Sequence, residues 1–325
     1  MIDPSITSCF LSYEAGAKEL REAGESTFDL GLPERNPFSE TVVRTAQLLD
    51  RLRPSIVIAQ EEPAALIAAR IFRIPAIFST HWFPLKEDPY SHHLSYADKI
   101  LFMEREGLFI EPQEVVGRVT YTGPIVRQVR PTTGGSKAVR RHLGLKATDP
   151  LILVLPGSPP EDREPIAQLI LDAFDCLPEP QKALVWVSPR DIEKVTASAG
   201  PRRNVHVMSK VSNLDDVIIA SNLVITKGTY NLTNEIQLLG RPSIALTHRY
   251  NPIDDYFVRH SPQGHLVDVR ECNLQEFVRL LSASLLQNPV FEATSIPRSA
   301  FGGVSRAAAE IYKFLRQTPP QTTPK

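Results

Sequence analysis

The chain has 325 residues, of which 42% are hydrophobic and 22% charged, and a formal net charge of -1. That length predicts about two domains with a core large enough to need no covalent staples, and the near-zero charge excludes the basic excess by which a nucleic-acid binder is recognised. Cys9, Cys176 and Cys272 are few, odd in number and widely spaced, which points to a reducing cytoplasm and away from a disulfide framework or a zinc site, while the opening Met1-Ile2-Asp3-Pro4 has no signal-peptide pattern and no apolar run reaches the roughly 20 residues of a membrane span.

In chain order the pattern alternates between strand and helix. Ile6 to Ser12 predicts a strand, and Glu14 to Ala23 a helix that Gly24 stops. Thr27 to Leu30 predicts a short strand, and Thr41 to Leu52 carries Val42, Ala46 and Leu49 at helical spacing. Ser55 to Ala59 reads as a buried strand. Pro63 to Phe72 reads as a helix opened by proline, whose missing N–H costs nothing in a first turn. Further strands are predicted at Ala76 to Ser79 and Lys99 to Met103. This is the β–α–β grammar of a parallel sheet covered on both faces.

From Gly123 to Gly135 glycine, proline and threonine crowd together, the composition of an interdomain linker. A second series follows. Strands are predicted at Leu151 to Leu155, Ala183 to Val187, Val205 to Met208, Leu223 to Thr226 and Ser243 to Leu246; helices at Arg163 to Phe174 and Leu214 to Ala220. A last helix, Ser305 to Arg316, sets Ala308, Ile311, Tyr312 and Leu315 on one face. The fold expected is α/β, with two Rossmann-like doubly wound domains facing each other across a cleft. The expected divisions are 1–130 and 131–302, then a helix over 303–317 that returns to the first domain, and a frayed Pro/Thr-rich tail over 318–325.

The richest stretch is Lys227-Gly228-Thr229-Tyr230-Asn231-Leu232-Thr233-Asn234-Glu235, followed by Gly240-Arg241-Pro242. It comes straight after the strand Leu223-Val224-Ile225-Thr226, so it predicts strand, tight turn and helix start. Amides at such a helix N-terminus are unpaired within the helix and suit an anion such as phosphate. Gly228 lets the backbone approach a ligand. Glu235, four residues beyond Asn231, supplies a carboxylate able to accept hydrogen bonds from the two neighbouring hydroxyls of a ribose. The alternative is an ordinary strand–turn–helix of a parallel sheet.

This arrangement resembles the nucleotide-sugar signature of the GT-B glycosyltransferases. In the UDP-glycosyltransferase form that signature is His-Gly-Gly-aromatic-Asn-Ser-x-x-Glu, with Gly-x-Pro beginning five residues after the Glu. Gly228, Tyr230, Asn231, Glu235, Gly240 and Pro242 match it; Lys227, Thr229 and Leu232 depart from it. The resemblance extends from about Phe10 to Leu315, in the manner of the group that contains the lipid II-forming N-acetylglucosaminyltransferase. It implies an inverting, metal-independent transfer of a sugar from a nucleotide donor, UDP-linked, to an acceptor held by the first domain. No cofactor is implied, since the nucleotide sugar is a substrate, and the acceptor is a small molecule or a lipid reached by peripheral membrane contact. By the same resemblance Gly157 and Ser158 contact the donor diphosphate, the segment containing Met208 and Val211 cups the uracil ring, and Asp254 and Asp255 bind sugar hydroxyls. Lys227 keeps a cationic donor by the phosphates, and Thr229 adds bulk there.

On the acceptor side, Ser79-Thr80-His81-Trp82 follows a strand end, where polar and aromatic residues face the ligand. His81 offers an imidazole that can carry a proton, and Glu61 or Glu62 can orient it. His92 and His93 are adjacent and point apart, which does not make a metal site. The resemblance leaves the first strand of the first domain, with its glycine-rich loop, without a counterpart. Ile6 to Ser12 matches a second strand, so the expectation is a start upstream of Met1 and an unpaired interior strand edge. A UDP-sugar 2-epimerase, or a nucleotide-sugar-binding subunit without its base, are the other readings of the same fold.

Overall fold

The computed structural model describes residues 6–33, 38–83, 89–107, 109–156, 163–178, 181–188, 192–247, 264–286 and 302–317. The chain forms two compact units. Unit 1 comprises Met1–Pro124 with Gly302–Lys325, and unit 2 comprises Ile125–Phe301.

Unit 2 is a six-stranded, wholly parallel sheet. Its strands are β7 (Leu151–Leu155), β8 (Ala183–Val187), β9 (Val205–Met208), β10 (Leu223–Thr226), β11 (Ser243–Thr247) and β12 (Gly264–Asp268), ordered β12-β11-β10-β7-β8-β9. Counted from β7 this is the order 3-2-1-4-5-6, with β7 and β10 central and the strand order reversing between them. A parallel strand with helices on both faces is apolar throughout rather than alternating. Leu151, Ile152, Leu153 and Val154 are accordingly buried to the same degree, as are Leu223, Val224 and Ile225. Helices α5 (Arg163–Asp175), α6 (Ile192–Ala199) and α9 (Leu274–Leu286) share one side of the core around Trp186, Phe174 and Phe277. Helix α7 (Leu214–Ala220) and helix α8 (Tyr230–Leu238) pack on the other, around Leu153, Val185, Val217 and Ile236. Helix α4 (Gly135–His142) belongs to that second side, through Val139.

Unit 1 is built differently. A four-stranded parallel sheet runs β3 (Val57–Gln60), β4 (Ala76–Thr80), β5 (Lys99–Phe102) and β6 (Val119–Tyr121), in that order. A separate parallel pair joins β1 (Phe10–Ser12) to β2 (Thr27–Asp29). Helix α1 (Glu14–Glu22) connects that pair, helix α2 (Phe38–Leu52) leads to β3, and helix α3 (Pro63–Ile71) connects β3 to β4. Core packing centres on Leu66, Phe78, Ile100 and Phe102. Phe102 stacks on Phe83, with centroids 4.4 Å apart, and meets Phe109 and Tyr121 edge-on.

The C-terminal helix α10 (Gly303–Gln317) is grouped with unit 1. Arg306 donates to the Thr122 carbonyl, and Lys99 pairs with Glu310. Gly303 is where the helix comes closest. A Cβ there would lie 2.3 Å from the Pro124 carbonyl oxygen and 2.5 Å from that of Gly123, so only glycine admits this approach. Ala307 is buried one turn on, while Ala308, Ile311, Tyr312 and Leu315 are half-buried.

Several elements lie outside the sequence expectation: β6, α4, α6, β12, α9 and two 3-10 helices, Pro89–Tyr96 and Gln113–Val115. The first strand begins at Phe10 rather than Ile6, because residues 6–9 form no ladder. The tail over 318–325 lies outside the described residues.

Candidate functional site

The carboxyl ends of β7 and β10 lie side by side at the point where strand order reverses, the place where doubly wound sheets bind ligands. From β7 the chain passes into Pro156; Gly157 and Ser158, and likewise Asp254 and Asp255, lie outside the described residues. From β10 it passes through Lys227, Gly228 and Thr229 into α8. Gly228 sits at φ +81°, the left-handed region that favours glycine. It is buried, and its amide reaches the Thr226 hydroxyl at 3.4 Å. Thr229 stands at the N-cap with extended backbone, and its side chain makes no capping bond. The helix ladder starts with Thr233 N–H donating to Thr229 C=O at 2.9 Å, so the amides of Asn231 and Leu232 have no partner within the helix. They carry the positive end of the helix dipole. Lys227, half-buried, adds a cation beside this turn. Strand β10 thus delivers a glycine turn, a cation and a helix N-terminus to one spot.

Two turns along, Asn231 and Glu235 fare differently. Asn231 is exposed and Glu235 buried. The Glu235 carboxylate accepts from Arg127 Nε at 3.0 Å. Arg127 also donates to Asp215, whose second oxygen accepts the Arg130 amide at 2.6 Å. Burial pushes the Glu235 carboxyl up, and the Arg127 charge only partly offsets that. Burial would push Asp215 up as well, but Arg127 and the Arg130 amide outweigh it and hold its carboxyl below the usual range. A buried carboxylate with one oxygen committed to an arginine keeps acceptor capacity for a ligand hydroxyl.

Tyr230, at the aromatic position of the motif, is buried, and its hydroxyl accepts the Ile125 amide at 3.2 Å. The aromatic therefore secures the start of unit 2 rather than facing a ligand. The segment 213–220 also anchors chain. Asn213 caps α7, accepting from the Asp215 amide at 3.0 Å, and its amide group donates to the Arg130 carbonyl at 3.0 Å. Asp216 accepts the Thr132 amide at 2.8 Å. A Cβ on Gly135 would come within 2.3 Å of the Asp216 carboxylate. Met208 and Val211, at the end of edge strand β9, are half-buried against the α7 side of the core.

In unit 1, the carboxyl ends of β3 and β4 bring Glu61 and His81 together. Glu61 Oε1 contacts His81 Nδ1 and also accepts the His81 amide at 3.3 Å. Glu61 holds φ +52°, a left-handed conformation that costs a non-glycine residue on the order of 1 kcal/mol. That strain sits at the residue that touches the imidazole. A carboxylate on Nδ1–H fixes the tautomer and makes Nε2 the basic nitrogen. Thr80 donates to the Trp82 carbonyl at 2.9 Å, which pins the turn bearing His81. Glu62 does something else. It caps α3 by accepting the Ala64 amide at 3.1 Å and accepts the Tyr13 hydroxyl, while burial raises its carboxyl above the usual range. Among the described residues no group of three His, Cys, Asp or Glu side chains forms a metal-holding cluster, and no helix is long and apolar enough to cross a membrane.

Sequence reasoning missed Arg127, Asp215 and Asp216. The Asn213-Leu214-Asp215-Asp216 run is a visible helix-start signature, but no sequence signal ties it to an arginine 88 positions earlier.

No protein-family model matches the chain. A curated relative, the UDP-N-acetylglucosamine--N-acetylmuramyl-(pentapeptide) pyrophosphoryl-undecaprenol N-acetylglucosamine transferase of Ruminiclostridium cellulolyticum, is 26% identical over 221 residues. That match covers 65% of this chain and 58% of the relative, so the chain spans somewhat over half the length of the curated protein it matches. Among solved structures, a protein assigned as a UDP-N-acetylglucosamine 2-epimerase from Listeria monocytogenes aligns with a TM-score of 0.69 at 13% identity, covering 98% of this chain and 91% of that one. The glycosyltransferase of kitacinnamycin aligns with a TM-score of 0.63 at 17% identity, covering 94% and 90%. At these identities the likeness shows the fold: two Rossmann-like α/β units of the GT-B type.

Proposed function

We propose that the chain is a glycosyltransferase that moves a sugar from a UDP-linked donor to a small-molecule or lipid hydroxyl. The observation that carries this is the convergence, at the β7/β10 switch point of unit 2, of the Gly228 turn, the α8 N-terminus and the buried Glu235 carboxylate. The match to the N-acetylglucosamine transferase supports the reading. The likeness to the epimerase is one of fold, and fold alone does not choose a reaction.

Unit 2 binds the donor. Glu235 accepts the ribose hydroxyls, and Lys227 with the α8 amides faces the diphosphate. Gly157, Ser158, Asp254 and Asp255 complete this set, and Met208 and Val211 flank the base. Unit 1 supplies the acceptor-side base. His81 Nε2 takes the proton of the acceptor hydroxyl while Glu61 holds Nδ1–H. The acceptor oxygen bonds to the anomeric carbon as the bond from that carbon to the UDP oxygen breaks, with inversion. UDP leaves with the electron pair, its growing charge met by the α8 N-terminus and Lys227 without a resident metal ion.

The test is calorimetry with UDP, together with donor consumption in the presence of acceptor. Losing a hydrogen bond to a charged group costs about 1.5–3 kcal/mol, so Glu235→Ala is expected to weaken UDP binding roughly 10- to 100-fold. Unchanged affinity in a folded variant removes the ribose assignment. UDP binding with no sugar transfer, across a panel of acceptors, would favour a binding subunit instead.

A further inference from the structure

The amino ends of the unit 2 strands gather charge that the donor side does not use. The sheet register pairs Val224 with Ser243 and Leu223 with Ile152, and Asn222 N–H donates to Leu151 C=O at 2.7 Å. One row across β7, β10 and β11 therefore holds Leu151, Asn222 and Arg241. Residues of one row share a face of the sheet. Leu151 lies on the α7–α8 side of the core, so Asn222 and Arg241 emerge on that side too, where α4 packs through Val139. Arg140, the next residue of α4, reaches into the row. Its Nη2 donates to Asn222 Oδ1 at 2.6 Å, and its Nη1 donates to the carbonyls of Lys146 and Asp149 at 3.0 Å and 2.8 Å.

The donors in this row are unequally occupied. Asn222 Oδ1 also accepts the Leu151 amide at 2.9 Å. Both bonds fix the orientation of the side-chain amide, and Nδ2 has no partner among the described residues. Arg140 keeps Nε–H and one hydrogen of Nη2 uncommitted. Arg241 keeps its whole guanidinium. The residue is half-buried, its Nε is buried and unpartnered, and among the described residues the guanidinium makes no hydrogen bond or ion pair. Burial pushes Arg241 below the usual arginine range, and the charge of Arg140 acts in the same direction. Asp149, the carboxylate that acts on Arg140, gives one oxygen to the Lys146 amide at 2.6 Å. Taking a cation out of water with no anion beside it is costly, which is why buried charges are normally paired. Two cations converge here, and one of them is unpaired.

We propose that Arg241, Asn222 Nδ2 and the uncommitted edge of Arg140 bind a phosphate dianion at the amino ends of β7, β10 and β11. The chemistry of the ligand follows from the donors. Two guanidinium groups call for two negative charges in one small group, and planar forks match the oxygens of phosphate bidentately. A phosphate offers acceptors to both arginines and to the amide between them, whereas a single carboxylate has fewer oxygens and half the charge. The proposal is independent of the glycosyltransferase reading, because the donor is placed at the carboxyl ends of β7 and β10, the opposite end of the same strands.

Calorimetry on the full chain tests it, with inorganic phosphate titrated at about pH 8, where it is a dianion, in a buffer otherwise free of phosphate and sulfate. Saturable binding with a Kd of about 1 mM or tighter is expected. Arg241→Met, which keeps much of the stem, should weaken it at least tenfold, and Arg241→Lys, a point charge without the fork, should fall between the two. Arg141→Met, at an exposed neighbour, should bind as wild type does. A second readout separates a binding arginine from a structural one. In phosphate-free buffer the urea midpoint of Arg241→Met should equal or exceed that of wild type, and phosphate should raise the wild-type midpoint alone. The proposal is overturned by the absence of saturable binding, or by equal affinity in Arg241→Met, which would put the phosphate elsewhere, at the α8 N-terminus for example. A lowered midpoint for Arg241→Met in phosphate-free buffer also overturns it, since the fold itself would then pair Arg241. Retention on phosphatidic acid vesicles without binding of inorganic phosphate would assign the row to a lipid surface and overturn it as well.

Discussion

Arg127 lies between two buried carboxylates, and replacing it tests the account of unit 2 directly. Arg127→Met keeps much of the aliphatic stem but removes the charge that Asp215 and Glu235 share. Removing one member of a buried ion pair typically costs about 3–5 kcal/mol. The Arg127 side chain is 44% exposed, so solvent screens part of this, and about 1.5–3 kcal/mol, the range for a hydrogen bond to a charged group, is the expected loss near pH 8. With a urea dependence of about 2 kcal/mol/M the midpoint should fall by about 1 M. Trp186 is fully buried in unit 2 and reports its unfolding by fluorescence, in a Trp82→Phe background that silences unit 1. The sign with pH is fixed. Glu235 has a raised folded pKa, so its contribution is present below the unfolded value and is lost as pH rises through the folded one; without Arg127 that loss grows. Asp215 has a lowered folded pKa, so its contribution is present above the unfolded value and is lost as pH falls; without Arg127 most of it goes. The Glu235 effect makes the deficit of the variant grow from about pH 5 to about pH 8, while the Asp215 part, which titrates below the ordinary carboxylate range, is the same at both. Adding Glu235→Gln should recover part of the deficit, since a neutral amide does not need the guanidinium. A wild-type midpoint at both pH values, or an equal deficit that Glu235→Gln does not relieve, refutes the reasoning.

Three further outcomes are expected. His81→Ala should lower transfer by roughly 10²–10⁴ while leaving UDP affinity within twofold, and Glu61→Gln should lower it less, since it loses orientation rather than the base; steady-state rates beside calorimetry check both, and equal rates exclude His81 as base. Gly228→Ala forces an L-residue into φ +81°, at about 1–2 kcal/mol, and sets a methyl where the diphosphate approaches, so UDP affinity should fall more than thermal stability does; calorimetry against a melting curve separates the two. Gly303→Ala drives a Cβ into the carbonyl oxygens of Gly123 and Pro124 and should destabilise unit 1 by about 1–3 kcal/mol without touching UDP binding, as urea titration will read.

Much of the fold was legible because parallel strands buried on both faces announce themselves. Leu151–Leu155, Ala183–Val187 and Leu223–Thr226 are short apolar runs with β-branched residues between turn residues, and their boundaries can be read from the sequence. What was illegible is weaker in kind. Val119–Tyr121 is three residues long, and Gly264–Asp268 is an edge strand with little apolar content. Gly135–His142 carries almost no apolar stripe, since its role is to pass Gly135 under Asp216. Leu274–Leu286 is a different case. Asn273 and Glu276 make a reciprocal capping box, and Phe277, Leu281 and Ser284 recur at helical spacing. The signal was in the chain and was passed over.

The site divides along the same line. Gly228, Thr229 and the start of α8 were readable because a strand end followed by glycine leaves the backbone few alternatives, and backbone geometry is local. The environment of Glu235 was not readable, because it depends on which charge reaches it through space. A buried carboxylate needs a resident cation, or its pKa climbs and its charged form is lost. Arg127 supplies that cation from the first residues of unit 2, and Asp215 holds Arg127 in place with an oxygen to spare for the Arg130 amide. The same physics separates Glu61 from Glu62, two adjacent carboxylates with indistinguishable sequence credentials. Positive φ at Glu61 turns its side chain to His81, while Glu62, one residue on, falls at the N-cap of α3 and is consumed by the Ala64 amide and the Tyr13 hydroxyl. The α3 start is set by Pro63, which is fixed for a first helical turn and has no N–H to satisfy. The proline therefore decides which glutamate is left to orient the histidine.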